Sequence, residues 1–345
     1  EKLVENAQEI KPHVLTAVPR LYEKIFDSIV LKGQELTGIK KKLFFWAVDL
    51  GLKYEPYGAN GWWYEKQLGL ARKLIFSKWQ AALGGELKLM VSGASALQQR
   101  LTRVFAAAGM PIMEGYGLTE TSPVTSVSFM EQNGVRGFRV GTVGRIINNV
   151  DVKIAENGEI LVKGPNVMQG YYKDPKKTAE VIKNGYFHTG DKGEIDADGF
   201  LKITGRTKEM FKTSGGKYIV PPLLEGDLKQ SLFIEQVMVV GENEKMPAAL
   251  IQPNFVFIRD WIERKGHKIG TSCEEIASAQ IIIDRIQIEV DQCNKSFGKW
   301  EQIKKFELTP NEWTIDDGHL TPTMKMKREI IKNIYDDLYE KIYRG

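Results

Sequence analysis

The stretch Leu87–Gly117, LKLMVSGASALQQRLTRVFAAAGMPIMEGYG, decides the fold class. Its first five residues form a short apolar run of the kind that becomes a buried strand. Ser95 then caps an expected helix that turns Leu101, Val104, Phe105 and Ala108 inward and stops at Gly109. A second apolar run, Pro111-Ile112-Met113, leads into Glu114-Gly115-Tyr116-Gly117. Strand, helix, strand in that order predicts a mostly parallel sheet covered by helices. Ligands of such sheets gather at the carboxyl ends of the strands, where Ser92-Gly93-Ala94 and Gly115-Tyr116-Gly117 fall.

Toward the amino terminus, Val18-Pro19 opens a helical pattern carrying Leu21, Ile25, Phe26, Ile29 and Val30, closed by Gly33. Toward the carboxyl terminus the texture changes near residue 141. Alternating Val150, Val152 and Ile154 meet Ile160 and Val162 across Asn157-Gly158, which predicts a hairpin with a primed turn. Asp174-Pro175 supplies a helix cap and first position, and a second hairpin folds at Asp198-Gly199. After Gly205-Arg206-Thr207-Lys208 the pattern restarts. Expected there are a helix near 223–231, strands at 234–240 and 247–252, helices at 255–265 and 275–297, a strand at 303–308 and one last helix. The fold class is therefore α/β: residues 1–140 as a mixed α/β layer, 141–206 as a small β-rich subdomain, and 207–345 as a smaller α+β domain.

With 345 residues, 42% hydrophobic and 27% charged, the chain has ample means to bury a core, and disorder is excluded. Its 48 basic and 44 acidic residues leave +4, too weak a field to argue for nucleic acid. Two cysteines, Cys273 and Cys293, support neither a disulfide scaffold nor a cysteine zinc site, and they suit a reducing, cytoplasmic setting. No run approaches the ~20 apolar residues that span a bilayer. Residues 40–79 are basic and rich in aromatics: Lys40-Lys41-Lys42, Leu43-Phe44-Phe45-Trp46, Trp62-Trp63-Tyr64 and Trp79. Such a stretch can suit a peripheral membrane surface or an apolar tunnel, but the favoured reading is a surface helix pair packed on the core, the commoner fate of aromatics.

Four clusters carry potential chemistry, and each alone also reads as ordinary turn or surface chemistry. In Gly115-Tyr116-Gly117-Leu118-Thr119-Glu120, glycines let backbone approach a flat or anionic ligand and Tyr116 offers a stacking face. Thr119 can donate to phosphate, and the Glu120 carboxylate suits Mg²⁺. In His188-Thr189-Gly190-Asp191, the Asp can accept both hydrogen bonds of a ribose diol. Gly205-Arg206-Thr207-Lys208 offers a cation, and Ser214-Gly215-Gly216-Lys217 is a glycine loop that lacks the P-loop spacing. The fourth is Thr321-Pro322-Thr323-Met324-Lys325, ahead of the last helix. The four histidines show no metal-ligand spacing.

In this order along the chain, Tyr-Gly-Leu-Thr-Glu, Thr-Gly-Asp, Gly-Arg-Thr-Lys and Thr-Pro-Thr-Met-Lys resemble the AMP-forming acyl-adenylate superfamily, most of all its long-chain fatty acid–CoA ligases. Val18–Lys24, Gly170-Tyr171-Tyr172 and Ile303–Leu308 add to the resemblance. It implies ATP-dependent activation of a fatty acid to acyl-AMP and transfer to coenzyme A, with ATP/AMP, Mg²⁺, fatty acid and coenzyme A as ligands. It places Gly93, Ala94, Gly115, Tyr116 and Gly117 around adenine, Thr119 at phosphate, Glu120 at Mg²⁺, and Asp191 and Arg206 at the ribose. Lys325 matches the adenylation lysine and Lys208 the hinge of a mobile lobe. Ser214, Gly215, Gly216 and Lys217 fall on the coenzyme A side. Thr323-Met324-Lys325, where much of the superfamily has Ser-Gly-Lys, looks like the long-chain subgroup. The family's Ser/Thr/Gly-rich phosphate loop precedes the stretch resembled by residues 10–24, so the resemblance implies a carboxyl-terminal portion of a longer enzyme, inactive alone. Activation of another carboxylate, or noncatalytic nucleotide or acyl binding, stays open.

Overall fold

The computed structural model describes residues 3–93, 95–207 and 209–345. The chain divides into two compact units, Glu1–Thr204 and Gly205–Gly345.

In the first unit, α1 (Leu3–Ile10) and β1 (Val14–Ala17) precede α2 (Pro19–Glu35), α3 (Gly38–Leu52) and α4 (Trp62–Ala71). A π-helical turn, Arg72–Phe76, carries α4 into α5 (Ser77–Ala82). Then come β2 (Leu89–Ser92), α6 (Gln99–Ala107), β3 (Ile112–Gly117) and β4 (Val124–Val127). A small hairpin of β5 (Phe129–Gln132) and β6 (Val135–Gly137) leads to β7 (Arg145–Ile146). The sheet runs β1-β2-β3-β4-β7, with β1, β2 and β3 parallel and the last two pairings antiparallel. The expected parallel core is present, and β4 and β7 make the sheet mixed.

Tyr22, fully buried on α2, locks helix to sheet: its hydroxyl donates to the Leu15 carbonyl at 2.9 Å and to that of Val91 at 2.8 Å. Loss of water pushes its pKa up to about 12, so the phenol stays protonated and the tie is permanent at ordinary pH. Helix α6 begins at Gln99, with Gln98 rather than Ser95 in the capping position and no side-chain cap. Gln98 instead donates to buried Glu23 at 3.0 Å, and Glu23 also accepts from Arg20 at 2.7 Å. A long-range polar contact thus fixes the loop after β2, which short-range capping rules do not weigh.

The second sheet of this unit is β8 (Asp151–Ile154), β9 (Glu159–Lys163), β10 (Ile182–Lys183) and β11 (Tyr186–Ile195) in the order β10-β11-β9-β8, with β12 (Leu201–Arg206) pairing β11. Val152, Ile160, Val162 and Leu201 form its buried face. The β8–β9 turn is not a primed two-residue turn. Ala155 donates to Glu159 across it at 2.8 Å, and Gly158 alone adopts positive φ, at 83°. Asp174 does cap α7 (Pro175–Val181), accepting from the Lys177 amide at 2.9 Å.

The second unit holds a short hairpin, β13 (Phe211–Lys212) and β14 (Tyr218–Ile219), then α8 (Pro221–Leu228), β15 (Ile234–Val240), β16 (Ala248–Pro253) and α9 (Phe255–Lys265). After α10 (Cys273–Ser278), α11 (Gln280–Asn294) and β17 (Lys305–Leu308) come α12 (Arg328–Ile334) and α13 (Asp336–Arg344). Strand β16 is central and buried along its length, antiparallel to β15 and parallel to β17. Ile331, Tyr335, Tyr339 and Ile342 pack on its Ala248 and Leu250 and on Met238 and Val240 of β15. Two expected single helices are pairs. Residues 275–297 break at Ala279, and the last helix breaks at Tyr335, whose φ of −108° and ψ of 36° leave the helical region. The apolar stripe continues across each break, so periodicity alone does not register it.

Candidate functional site

The carboxyl end of β3 is built by close backbone approach. A Cβ on Gly117 would stand 1.6 Å from the Pro123 carbonyl oxygen, so glycine alone fits where β3 turns toward β4. Gly115 is under no such constraint, since its Cβ would lie 3.7 Å from the nearest atom, the Ser126 carbonyl oxygen. Thr119–Thr121 form one 3₁₀ turn. The Thr121 hydroxyl accepts from the Leu118 amide at 2.9 Å, and Ser122 takes the left-handed conformation at φ 53°. This knot leaves Thr119 exposed and presents Glu120 at half-burial. Glu120 accepts from the Tyr171 hydroxyl at 2.9 Å, and its backbone carbonyl accepts from Met168 at 2.8 Å. Loss of water and the neighbouring Glu120 carboxylate raise the Tyr171 pKa, so the phenol remains the donor.

Asp191 reaches the same place from the second sheet. The β11–β9 register slips between His188 and Lys192, and Gly190 sits in the slip at φ 73°. A bulge of this kind re-aims a side chain inward. Asp191 is only 4% exposed, and its Oδ2 accepts from the Tyr116 hydroxyl at 2.9 Å. The bulge is held by Glu159, which accepts from the Gly190 amide at 2.9 Å and meets His188 Nδ1 at 3.1 Å. Thr189 donates to the Ile160 carbonyl at 2.8 Å.

Two motifs 75 residues apart thus share a direct hydrogen bond. Glu159 and Tyr171, which hold Asp191 and Glu120 in place, were not among the expected site residues. Only Gly170-Tyr171-Tyr172 carried a signal, and for Glu159 none exists, since its role follows from strand register. Gly93 closes β2 on the same edge of the sheet, while Ala94 lies outside the described residues. Glu114, next to Gly115, accepts from fully buried Thr102 at 3.1 Å. Burial pushes its carboxyl up to about 8, so it holds a proton at neutral pH.

Of the remaining expected residues, Lys208 lies outside the described residues, Arg206 stands on a strand that runs across the division after Thr204, and the others lie in the second unit. Arg206 ends β12. Ser214-Gly215-Gly216-Lys217 is the exposed tip of the β13–β14 hairpin. Thr213 receives the Gly216 amide at 2.9 Å, the Ser214 amide donates to the Glu244 carbonyl at 2.8 Å, and Gly216 turns at φ 74°.

Lys325 stands exposed on a tight turn before α12. The Thr321 amide donates to the Lys325 carbonyl at 2.8 Å, and the Lys325 amide donates to the Thr321 hydroxyl at 3.0 Å. Met324 supplies positive φ, at 62°. Leu320 pairs with Met326, and the Lys327 amide donates to the His319 carbonyl at 2.9 Å. His319, 4% exposed, is stacked near Trp313 and Tyr335 with ring centroids 6.5 and 5.9 Å away. Desolvation lowers its pKa, so the ring under this turn is neutral.

Among the described residues no group of three or more His, Cys, Asp or Glu side chains gathers to hold a metal. A lone carboxylate such as Glu120 fits Mg²⁺ when phosphate oxygens and water complete its shell.

Residues 1–172 match the family model for the AMP-binding enzyme, and residues 209–345 match that for the AMP-binding enzyme C-terminal domain. Long-chain-fatty-acid–CoA ligase FadD15 of Mycobacterium bovis is 34% identical over 336 residues, which cover 96% of this chain and 55% of the relative. Human long-chain-fatty-acid–CoA ligase 1 is 36% identical over 369 residues, covering 99% of this chain and 50% of the relative. The chain thus spans about half the length of the curated relatives it matches. In structure it resembles the A domain of carboxylic acid reductase from Segniliparus rugosus, solved with AMP and a co-purified carboxylic acid. The TM-score is 0.69 at 18% identity, over 99% of this chain and 48% of that one, a likeness of fold. With both domains of one family matched in order along its length, the chain belongs to the AMP-binding enzymes.

Proposed function

We propose that the chain supplies the adenylate-binding and lysine-bearing parts of an enzyme that activates a long-chain fatty acid with ATP and passes the acyl group to coenzyme A. The observation that carries this reading is the Tyr116–Asp191 hydrogen bond, which puts a glycine-lined strand end beside a buried carboxylate. In this reading Gly93, Ala94 and Gly115–Gly117 flank adenine, and Asp191 with Arg206 grips the ribose diol. Thr119 donates to phosphate. Mg²⁺, held by Glu120, supplies charge neutralisation at the phosphates.

Lys325 offsets the repulsion between the fatty carboxylate and the α-phosphate as they meet. A placed cation in a water-poor site contributes ~3–4 kcal/mol to such a transition state. Exposure on a tight turn suits this role, because the ammonium reaches outward while the turn fixes its base. Residues 1–140 and 141–206 form the large lobe of this reading, and 207–345 the mobile lobe, with Lys208 at the hinge. The Ser214–Lys217 hairpin tip lines the coenzyme A side during thioester formation.

Calorimetric titration with AMP tests the nucleotide site on the chain itself. Asp191→Asn keeps shape and removes charge, and loss of one or two charge-assisted hydrogen bonds weakens AMP binding about 10- to 100-fold. Equal affinity of both forms overturns the ribose assignment. For Lys325, the whole protein is assayed by half-reaction. Lys325→Ala lowers acyl-AMP formation by more than about 100-fold and leaves thioester formation from supplied acyl-AMP intact. Equal loss in both halves refutes the role. A panel of carboxylates of increasing length tests the long-chain preference against aryl and amino acids.

A further inference from the structure

We propose that the outer face of the continuous helix formed by α4, the π turn and α5, residues 62–82, docks on an anionic lipid surface. The inner face of this helix is already committed. The Tyr64 hydroxyl donates to the Leu50 carbonyl at 2.7 Å, Arg72 Nε to that of Ala107 at 2.8 Å, and Gln80 Nε2 to that of Ala108 at 3.0 Å. Leu68, Ala71, Ile75, Phe76 and Trp79 are buried in the core. Of the aromatics in residues 40–79, Phe44, Phe76 and Trp79 therefore follow the packed-helix expectation.

The outer face does not. Trp62 and Trp63 are 68% and 65% exposed, and Leu70 and Leu74 are 51% and 39% exposed. Positions 62, 66, 70, 74 and 77 follow one another at three- and four-residue steps, so Trp62, Lys66, Leu70, Leu74 and Ser77 share one side. The π turn contributes to this arrangement. One residue wider than an α turn, it lets Ile75, Phe76 and Trp79 stay buried while Lys73 and Leu74 stay outside.

Charge complementarity names the occupant. The exposed charged residues between 62 and 78 are all basic, Lys66, Lys73, Lys78 and the Ala107-bound Arg72, and the one carboxylate there, Glu65, is half-buried. Lys66 Nζ lies 4.0 Å from the centroid of the Trp62 ring, so the cation and the aromatic occupy one level. Two exposed indoles, two exposed leucines and a set of lysines that outnumber the single half-buried carboxylate, Glu65, make the pattern of a helix lying in a headgroup layer. A protein partner would be expected to demand a more contoured patch and buried, not lysine-fringed, anchors. Among the described residues no helix is long and apolar enough to cross a membrane, so contact would be along the surface. This inference stands apart from the nucleotide reading, since the face binds lipid whether or not Asp191 grips AMP.

The test is co-sedimentation of the chain with vesicles of phosphatidylcholine and phosphatidylglycerol, compared with phosphatidylcholine alone. Binding is expected on the mixed vesicles and falls with salt. Lys66→Gln with Lys73→Gln lowers partitioning by about tenfold or more, since each lysine near an anionic surface is worth about fivefold. Trp62→Ser with Trp63→Ser lowers it by a similar factor, and removes the fluorescence quenching that brominated lipid tails impose on the parent chain. Thermal unfolding of the variants checks that these exposed positions leave the fold intact. Absence of binding to mixed vesicles, equal binding to neutral ones, or binding indifferent to all four substitutions overturns the proposal. A change in lipid-free sedimentation caused by the same variants also overturns it, because the face then pairs two copies of the chain.

Discussion

The two units hold their candidate residues in opposite ways. In the first, function-bearing groups are gripped from several elements: Asp191 by a bulge, by Glu159 and by Tyr116; Glu120 by Tyr171 and a 3₁₀ turn. In the second, Lys325 stands out on an exposed turn whose rigidity comes from beneath, through His319 stacked with Trp313 and Tyr335. On the proposed reading, a ribose or a metal needs preset geometry, which the cross-bracing of Asp191 and Glu120 supplies. On the same reading, a cation that must approach a reacting pair has to project, which fits a Lys325 fixed only at its base. The difference implies that substitutions in the first unit disturb shape and binding together, whereas those at Lys325 separate chemistry from stability.

The sharpest way to break this contrast is Gly117→Ala. Its Cβ would meet the Pro123 carbonyl oxygen at 1.6 Å, a backbone clash that no rotamer relieves. AMP binding by the chain is expected to vanish and the first unit to lose its cooperative melt, read by calorimetry. Retained binding would mean that the β3–β4 approach is looser than described.

Next in size is Glu225→Ala. Glu225, 5% exposed, accepts from both terminal nitrogens of Arg328 at 2.8 and 2.6 Å and from the Val239 amide at 2.8 Å. Removing one partner of a buried pair costs about 3–5 kcal/mol. Chemical denaturation should show this loss in the second unit, with the Asp191-dependent part of AMP binding unchanged. An effect below about 1 kcal/mol would show the pair to be solvated.

The units also differ in their response to pH. Glu114 keeps its proton in the folded state, with a pKa raised from 4.5 to about 8. Its contribution to stability is complete below about pH 4.5 and is lost as pH rises toward 8. His319 has the opposite sign: its pKa is lowered from 6.5 by desolvation, so stability is present above pH 6.5 and falls as pH drops through the lowered value. Glu114→Gln should flatten the alkaline loss, and His319→Gln the acid loss, each followed by denaturant midpoints across pH. Unaltered profiles would remove both groups as the source.

The smallest effect expected is on the stability of Lys325→Ala. An exposed side chain away from caps and cores changes stability by about 0.5 kcal/mol or less. A larger shift in melting would tie Lys325 into the fold and blur the contrast with the first unit.

Much of this was legible in residue order. The run from Leu87 to Gly117 announced the parallel strands, and four short motifs announced the family. Other features were not legible, and in all but one case, the Asn157-Gly158 turn, a distant residue is the cause. The cap expected of Ser95 gave way to Gln98 bonding Glu23, 75 residues earlier. The Asn157-Gly158 turn took a third residue because the flanking strands pair at Ala155 and Glu159. Tyr335 breaks the last helix while filling the space beside His319. Nothing in Glu159's neighbourhood along the chain marks it as the group that holds the Asp191 bulge.

Sequence by itself determined the residue types that the proposed nucleotide and acyl chemistry needs, their order, and the alternation that makes sheets covered by helices. Those depend on local sterics and hydrophobic period, which a chain carries wherever it folds. Tertiary structure alone decided that Tyr116 bonds Asp191, that Tyr171 occupies Glu120, that Glu114 stays protonated, and that Trp62 and Trp63 face outward while Trp79 is buried. Hydrogen bonds, proton affinity and exposure are set by neighbours in space, and those neighbours lie dozens of residues away along the chain.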